Sequence, residues 1–408
     1  MHNGGVDYLL GRFGAILDVM TDARDIVDGR VGEAVVPAWC ASRGWDSYLL
    51  GLSARDVAEC ETTGPARWFA DASSAPASLR DLARRVSATV VVPDLGSRTL
   101  EDQLRMTSVR ERKRIQVFAL VAALRQIAQR KARVVDVGCG AGHLTRTVAE
   151  RWGRGALGVE RNHDLIEQAR TLAELANVQF QELDVFQGEL KLESDDFVVG
   201  LHACGEVADV ALQAAVLANA SVAFVSCCLQ KLRGDTRVPL SRLGQARGLA
   251  MGRDVLGLSN LSSRQQGVEV SLEETMGARR VRHALRLLLQ SRGLKLEPGD
   301  EMRGLNRRRA RHGLESIAPA ALSMRGLPPA TPAELHECEH RARDQFEVIR
   351  RLSLPRNLLA RLVECAIVMD RAAFLRENGY EVAVATVFDE EVSPRNLVVV
   401  GEGTGSTH

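Results

Sequence analysis

The residues best suited to chemistry lie within Arg133 to Leu144, where glycines stand at the alternate positions Gly138, Gly140 and Gly142. Glycine adopts a positive φ without strain and has no Cβ, so a ligand can approach its backbone closely. The apolar run before these glycines predicts a buried strand, and the spacing after them predicts a helix. The first N–H groups of such a helix attract polar or negatively charged groups. We therefore predict a strand, a ligand-binding turn and a helix.

Three acidic residues, each at the end of an apolar run, indicate which ligand this turn binds. Asp136 stands two residues before the first glycine, Glu160 ends the next apolar run, and Asp184 follows the third. An acid at Glu160 suits the two hydroxyls of a ribose, and an acid at Asp184 suits an adenine amino group. The spacing G-x-G-x-G differs from the G-x-G-x-x-G of dinucleotide sites. These acids favour a ligand with a ribose and an adenine. The two alternatives for the turn are a nicotinamide site and a turn that binds no ligand.

The elements that must position these residues alternate regularly along the chain. The predicted strands cover 134–137, 156–160, 178–183, 197–203 and 222–228, with helices between them. Such alternation predicts a parallel, doubly wound sheet, which binds ligands beyond the carboxyl ends of its strands. The glycine turn and the three acids fall at that edge. So do His202, Cys204, Gly205, Cys227 and Cys228.

The regular alternation stops after the fifth strand and resumes near the end of the chain. A helix over 364–377 precedes two strands, at 381–388 and 397–400, which predict an antiparallel closing hairpin. We therefore expect an α/β fold with four segments. These are a helical N-terminal subdomain (1–98), the first part of the α/β domain (99–228), a helical, arginine-rich insertion between strands five and six (229–360), and the closing helix and hairpin (361–408).

The composition is that of an ordinary soluble protein. Hydrophobic residues make up 45% and charged residues 26% of the 408 residues, and the net charge is +1. No global charge points to nucleic acid, and no apolar stretch reaches the length of a membrane span. The eight cysteines lack paired spacing, and the start of the chain has no basic and apolar leader. We expect a cytoplasmic protein with reduced thiols and no membrane partner.

The acid and glycine series resembles the class I methyltransferases that depend on S-adenosylmethionine (SAM), which have a Rossmann-like sheet with an antiparallel last strand. Five further boxes resemble one methyltransferase-like family within that class. They are Met106 with Lys113-Arg114, Leu201-His-Ala-Cys-Gly205, Cys227-Cys228, the segment from Met369 to Tyr380, and Ser393-Pro-Arg-Asn-Leu397. The resemblance covers residues 100 to 408. More distantly, the chain is similar to tRNA ribose 2′-O-methyltransferases.

The resemblance implies SAM as the cofactor and a set of residues that bind it. That set is Asp136, Gly138, Cys139, Gly140, Gly142, Glu160, Asp184, Val185 and His202. His202 is also the candidate catalytic base, because a histidine pKa suits proton transfer near neutral pH. The alternative role for His202 is structural. Family members commonly follow the cysteine pair with an aromatic residue and a histidine, but Leu229 and Gln230 stand there in this chain.

Two sets of residues raise the question of a metal, and we expect no metal site from either. Cys204, Cys227 and Cys228 with His202 lack the C-x₂-C spacing of zinc sites. His336-Glu-Cys-Glu-His340 matches H-E-x-x-H, with Glu364 downstream as a third possible ligand. The charged residues in and after that motif favour a solvated helix face over a metalloprotease helix.

Three basic clusters in this otherwise neutral chain suggest the methyl acceptor. They are Arg110 to Arg114, Arg279 to Arg282 and Arg307 to Arg311. Clustered arginines suit the phosphates of a nucleic acid if they fold onto one side of the cofactor cleft, and they are solvated faces if they are scattered. Our hypothesis is a SAM-dependent methyltransferase acting on RNA. The alternatives are a SAM-binding regulatory protein without turnover, and a methyltransferase acting on a protein or a small molecule.

Overall fold

The structure is a computed structural model that describes residues 4–95, 109–173, 175–261, 271–297 and 299–403. The helices are α1 Gly4–Asp22, α2 Arg24–Asp28, α3 Ala38–Ala41, α4 Asp46–Gly51, α5 Ala54–Thr63, α6 Pro65–Asp71, α7 Ala77–Thr89, α8 Val109–Ala128, α9 His143–Trp152, α10 His163–Thr171, α11 Glu206–Ala218, α12 Arg242–Ala246, α13 Arg253–Leu256, α14 Leu272–Ser291, α15 Leu314–Ser323, α16 Pro332–Leu358 and α17 Ala360–Glu377. The strands are β1 Arg133–Val137, β2 Gly155–Glu160, β3 Val178–Glu182, β4 Asp196–Cys204, β5 Ser221–Cys227, β6 Thr236–Arg237, β7 Met251–Gly252, β8 Glu381–Thr386 and β9 Leu397–Glu402. Three short 3₁₀ helices cover Gly257–Asn260, Asp300–Met302 and Arg307–His312.

Seven strands form one sheet in the order β3-β2-β1-β4-β5-β9-β8. The first five are parallel, and β9 runs antiparallel to both β5 and β8. This confirms the predicted α/β fold, with its Rossmann-like sheet and antiparallel last strand. The strand order reverses between β1 and β4, and such a reversal opens a ligand crevice at the carboxyl ends of the strands. The glycine turn directly follows β1.

Helices bury both faces of the sheet. On one face, α8 and α9 contribute apolar side chains to a core with β1, β4, β5 and β9. Trp152 stacks on Phe197 with ring centroids 6.2 Å apart, and its indole N–H donates to the carbonyl of Val121. On the other face, the buried Tyr380 hydroxyl bonds the carbonyls of Ala215 and Ala220, which ties the end of α17 to α11. The sheet is therefore covered as a parallel sheet requires.

The chain divides into two compact units whose boundaries differ from those expected. One unit comprises Met1–Asp22, Ala88–Gln266 and Ala360–His408, and the other comprises Ala23–Ser87 and Gly267–Leu359. The first helix belongs with the sheet because α1 packs against α17. Residues 229–266, expected in the helical insertion, also belong with the sheet and contain the paired strands β6 and β7. Helix α8 carries the basic cluster Arg110 to Arg114, and Met106, named above with Lys113-Arg114, lies outside the described residues.

The second unit is helical. Ser53 is the N-cap of α5 and forms a full capping box with Asp56. Helices α14, α15 and α16 enclose a leucine-rich core. A largely buried ion pair joins Arg350 of α16 to Glu61 of α5 at 2.6 Å. This pair fastens the N-terminal helices of the unit to residues almost 300 positions later.

A buried network of charged side chains connects the sheet to the segments that follow it. Asp209 of α11 accepts from Arg371 at 2.7 Å and from Arg237 at 2.8 Å. Arg237 also pairs with Asp370 at 2.8 Å, and Asp370 accepts from the backbone and hydroxyl of Ser241. Each charge has an opposite partner, which a buried charge requires. The network therefore fixes β6 and α17 against α11.

Breaking this network should destabilise the protein strongly. Asp209→Ala leaves two buried guanidinium groups short of a partner, and the expected loss in unfolding free energy is about 3–5 kcal/mol. The matched control is Asp28→Ala, which removes an exposed pair with Arg24 and should change stability by less than about 1 kcal/mol. Urea unfolding of both variants measures the difference. Equal losses of unfolding free energy in the two variants would show that the buried network stabilises the protein no more than an exposed ion pair does.

Candidate functional site

The glycine turn has the conformation that its sequence predicts. Gly138, Gly140 and Gly142 have φ values of 76°, 55° and 72°. A Cβ at Gly138 or Gly140 would meet no atom within 4 Å, whereas one at Gly142 would lie 2.5 Å from the Phe180 ring. The first two glycines therefore present bare backbone to open space, and the third allows Phe180 to pack beneath the turn. Phe180 is a structural residue that the sequence patterns did not single out.

Glu160 lies beside this turn at the end of β2. Its Oε2 accepts from the N–H of Gly140 at 3.3 Å, and its Oε1 accepts from the N–H groups of Arg161 and Asn162. These bonds orient the carboxylate against the turn. A carboxylate has about four acceptor sites, so capacity remains for a ligand that donates hydrogen bonds. Paired hydroxyls on adjacent carbons match that capacity.

Asp136 is buried at the end of β1, with 2% of its surface exposed. Its Oδ2 accepts from the Thr145 hydroxyl at 2.7 Å. Burial raises the pKa of Asp136 from 3.8 to about 7; the bonds from Thr145 lower this pKa, and the charge of Glu160 raises it. Asp136 therefore connects the end of β1 to α9 through Thr145. Because its pKa is close to neutral, its charge changes with pH near 7.

The remaining predicted cofactor residues also lie around the turn or past β3. Asp184 accepts from the N–H of Phe186 through Oδ1, which leaves Oδ2 for a ligand. Val185 is half-buried in the same short turn. Burial is the first cause that raises the pKa of the half-buried Cys139 thiol, followed by the charges of Asp136 and Glu160, so Cys139 is a neutral group at this edge. His202 lies on β4, and its side chain is outside the described residues.

Two basic side chains near the turn, His143 and Arg146, were missed in the sequence patterns. Arg146 of α9 donates to the carbonyl of Ala141 at 2.8 Å and contacts Nδ1 of His143 at 3.3 Å. Burial and the positive charges of Arg146 and Lys113 lower the pKa of His143. Positive charge therefore surrounds the start of α9, where a helix already favours negative groups. Lys113 belongs to a predicted basic cluster, which was the available signal.

Three cysteines meet at the ends of β4 and β5. Cys204 and Cys227 are register partners in the parallel ladder, and their sulfurs lie 2.8 Å apart. The Sγ atoms of Cys204, Cys227 and Cys228 all lie within 4.8 Å of one another. Hydrogen bonds from Cys204 and Cys227, together with the charges of Arg395 and Lys231, lower the pKa of Cys228. The sequence places these three cysteines at one edge of the sheet, and the strand register brings their sulfurs together.

The H-E-x-x-H motif lies on α16 with both histidines on its exposed face. His336 and His340 are solvent-exposed, and His340 pairs weakly with Asp344 at 3.8 Å. Glu364 belongs to α17, where it is buried and paired with Arg361 at 2.8 Å. The interpretation of this segment as a solvated helix face is therefore confirmed.

The buried Asp136 carboxyl should make stability depend on pH. Its pKa in the folded state is about 7, above the ordinary 3.8, so the folded state holds the proton more tightly. Unfolding free energy should therefore fall as pH rises from about 4 to about 7, by on the order of 1–4 kcal/mol. Asp136→Asn should remove this fall, and Asp164→Asn, at an exposed site, should not. Urea unfolding across that pH range tests it, and an unchanged profile in Asp136→Asn would contradict the assignment.

Comparison with known proteins assigns part of the chain. A family model described as a methyltransferase domain matches residues 112–235. The methyltransferase phqN of Penicillium fellutanum is 36% identical over 76 residues, which is 18% of this chain and 23% of that protein. The chain thus spans about a quarter of the length of this curated relative. Described residues contain no helix that is long and apolar enough to cross a membrane.

Solved structures show only partial likeness. A TehB-like SAM-dependent methyltransferase from Corynebacterium glutamicum is 19% identical with a TM-score of 0.22, covering 27% of this chain and 60% of that chain. The sugar N-methyltransferase KedS8 from Streptoalloteichus is 16% identical with a TM-score of 0.24, covering 32% and 58% respectively. Residues 112–235 are similar to a methyltransferase domain, and the sheet order and the glycine turn agree with that match.

Proposed function

We propose that this protein transfers the methyl group of SAM to RNA. The observation that carries the cofactor assignment is the open glycine turn beside Glu160, whose carboxylate is oriented by three backbone N–H groups. The bare faces of Gly138 and Gly140 leave room for the cofactor, and Glu160 retains acceptor capacity for its ribose. The proposed cofactor residues are Asp136, Gly138, Cys139, Gly140, Gly142, Glu160, Asp184, Val185 and His202.

SAM supplies an electrophilic methyl group on a positively charged sulfur. The tasks left to the protein are to hold the acceptor in line with that methyl group and to exclude water. If the acceptor is a hydroxyl, a base must also take its proton. His202 on β4 is the proposed base, because its place in the strand puts it at the edge that carries the turn.

The arginines of the helical unit support RNA as the acceptor. The 3₁₀ helix Arg307–His312 packs against α14, so two of the three basic clusters lie on neighbouring elements. Arg308, Arg309 and Arg311 are exposed, and none of them forms an ion pair within the described residues. Three adjacent guanidinium groups without acidic partners are suited to bind successive phosphates. The chain has a more distant similarity to tRNA ribose 2′-O-methyltransferases, but it lacks the zinc-finger cysteines of those enzymes, so the proposal rests on the arginines and does not specify tRNA.

Two other functions fit parts of the same site. A SAM-binding protein without turnover fits the presence of Leu229 and Gln230 where relatives have an aromatic residue and a histidine. A protein or small-molecule acceptor fits the glycine turn equally well, because the turn binds the cofactor and does not select the acceptor. Neither alternative accounts for the unpaired arginines.

Incubation of the protein with methyl-labelled SAM and with separated RNA, protein and small-molecule fractions of cells distinguishes RNA methylation from the two alternatives. Label in RNA that depends on Glu160 supports the proposal, with Glu160→Gln as the variant and Glu167→Gln on the exposed face of α10 as the control. Label confined to protein or to small molecules would replace RNA as the acceptor. SAM binding without any labelled product would support the regulatory role.

Alanine at Gly142 should weaken SAM binding, whereas alanine at a glycine with a similar φ outside the turn should only strain the backbone. In Gly142→Ala the new methyl group meets Phe180 at 2.5 Å, so we expect SAM affinity to fall by about tenfold or more. Gly153→Ala is the matched control, because Gly153 has a similar φ of 66° but open space around it. It should lose only about 1–2 kcal/mol of stability and keep its SAM affinity. Calorimetric titration with SAM measures both, and equal affinities would contradict the role of the turn.

Neutralising the exposed arginines should weaken RNA binding in a salt-dependent way. Replacing Arg308, Arg309 and Arg311 with glutamine should reduce the slope of log affinity against log salt by about 2, or about 0.7 for each phosphate that is no longer bound. The control replaces Arg24 and Arg303, whose charges are already paired with Asp28 and Asp300. Filter binding with total cell RNA gives the slopes. The same slope in the triple variant and the wild type would exclude this surface.

A further inference from the structure

The cysteine triad at the ends of β4 and β5, Cys204, Cys227 and Cys228, depends on an unusual backbone conformation at Cys228. Strand β5 ends at Cys227, and if it continued, Cys228 would point to the opposite face of the sheet. Cys228 instead has a φ of 36°, which brings its sulfur to the side of the other two. A left-handed backbone at a residue other than glycine costs about 1–2 kcal/mol. Such strain is typical of functional positions.

The backbone around these sulfurs is held by buried contacts. Arg371 donates to the carbonyl of Gly205 at 2.9 Å and to the hydroxyl of Ser226 at 2.5 Å, the residues next to Cys204 and Cys227. A Cβ at Gly205 would lie 1.9 Å from the carbonyl oxygen of Lys231, so glycine is required where the two segments meet. Both strand ends therefore keep a fixed separation.

Charge and exposure around the triad indicate the kind of ligand. Lys231 and Arg395 place positive charge near Cys228, which offsets negative charge on clustered sulfurs. Cys204 and Cys228 are only half-buried, so the triad is accessible from one side. The side-chain oxygen of Gln230, two residues further on, is buried and has no hydrogen-bond partner within the described chain. An accessible group of three sulfurs suits a soft divalent cation.

We propose that Cys204, Cys227 and Cys228 bind one zinc ion as three thiolates, with a fourth position open to water or substrate. Zinc prefers sulfur ligands, and three protein ligands with an open position are typical of catalytic zinc sites. Zinc-bound sulfurs lie about 3.8 Å apart for Zn–S distances of about 2.3 Å, so the Cys204–Cys227 pair opens by about 1 Å on binding. In this chain the register of β4 and β5 brings the sulfur ligands together, whereas in many zinc sites C-x₂-C spacing does so. The proposal departs from the expectation of no metal site that followed from the sequence spacing.

Metal titration of the reduced, full-length protein tests the site without requiring methyl transfer. Zinc should bind at about one ion per chain, and cobalt in its place should give the ultraviolet charge-transfer absorption of cobalt–thiolate bonds. Cys228→Gly removes one ligand and also relieves the left-handed strain. Because loss of an outer partner alone weakens metal affinity by 10- to 100-fold, loss of a ligand should weaken it by more than about 100-fold.

Cys338→Ala, which removes a buried thiol outside the triad, should leave metal affinity unchanged. A measurement on the wild type does not depend on variant folding: thiol reagent should release zinc in step with modification of the triad, followed with a zinc-sensitive dye. Failure of the reduced wild type to retain zinc would overturn the proposal. So would equal zinc affinity in Cys228→Gly, or a Cys204–Cys227 disulfide in protein purified under reducing conditions.

Discussion

The buried pairing of Arg371 with Asp209 is the interaction on which the rest of this site depends. Charges without water must be paired, and this pair is completed by Arg237 and Asp370. It connects α17, which returns late in the chain, to α11 and to the short strand β6. Arg371 also bonds the ends of β4 and β5. One guanidinium group thus joins the returning helix to the edge where chemistry is expected.

The two buried carboxyls, Asp209 and Asp136, have different electrostatic surroundings. The network around Asp209 is compensated, and the two arginine charges lower the pKa of that carboxyl despite its burial. Within the described chain, the charge that acts on Asp136 is the negative one of Glu160, and burial raises the pKa of Asp136 to about 7. The first arrangement fixes structure over a wide pH range. The second leaves a carboxyl whose charge responds to pH and to a bound cation such as a sulfonium.

The glycine turn and its acids could be predicted from sequence because they are local. Spacing alone gives the strand, the positive φ values and the acid at the end of each strand, and the parallel sheet follows from alternation. The antiparallel closing strands were also predicted correctly. The end of β4 was predicted within one residue, which placed Cys204 at the functional edge.

The predicted strand ends grouped the three cysteines at one edge of the sheet. Neither the contact between their sulfurs nor the charge network could be predicted, because both depend on contacts between distant segments. Cys204 and Cys227 meet only through the register of β4 and β5. A usable signal existed for the network: Asp370 and Arg371 are adjacent charges inside the otherwise apolar helix α17. The compact units also group α1 and residues 229–266 with the sheet through packing that no local pattern encodes.

The most direct test of the central claim is a crystal structure of the full-length protein with S-adenosylhomocysteine, the demethylated product of SAM. The account predicts that the ligand lies over Gly138 and Gly140, with its ribose hydroxyls bonded to Glu160 and its adenine near Asp184. Ligand density at another place on the protein, or a Glu160 carboxylate that contacts only its backbone partners when the ligand is bound, would contradict it.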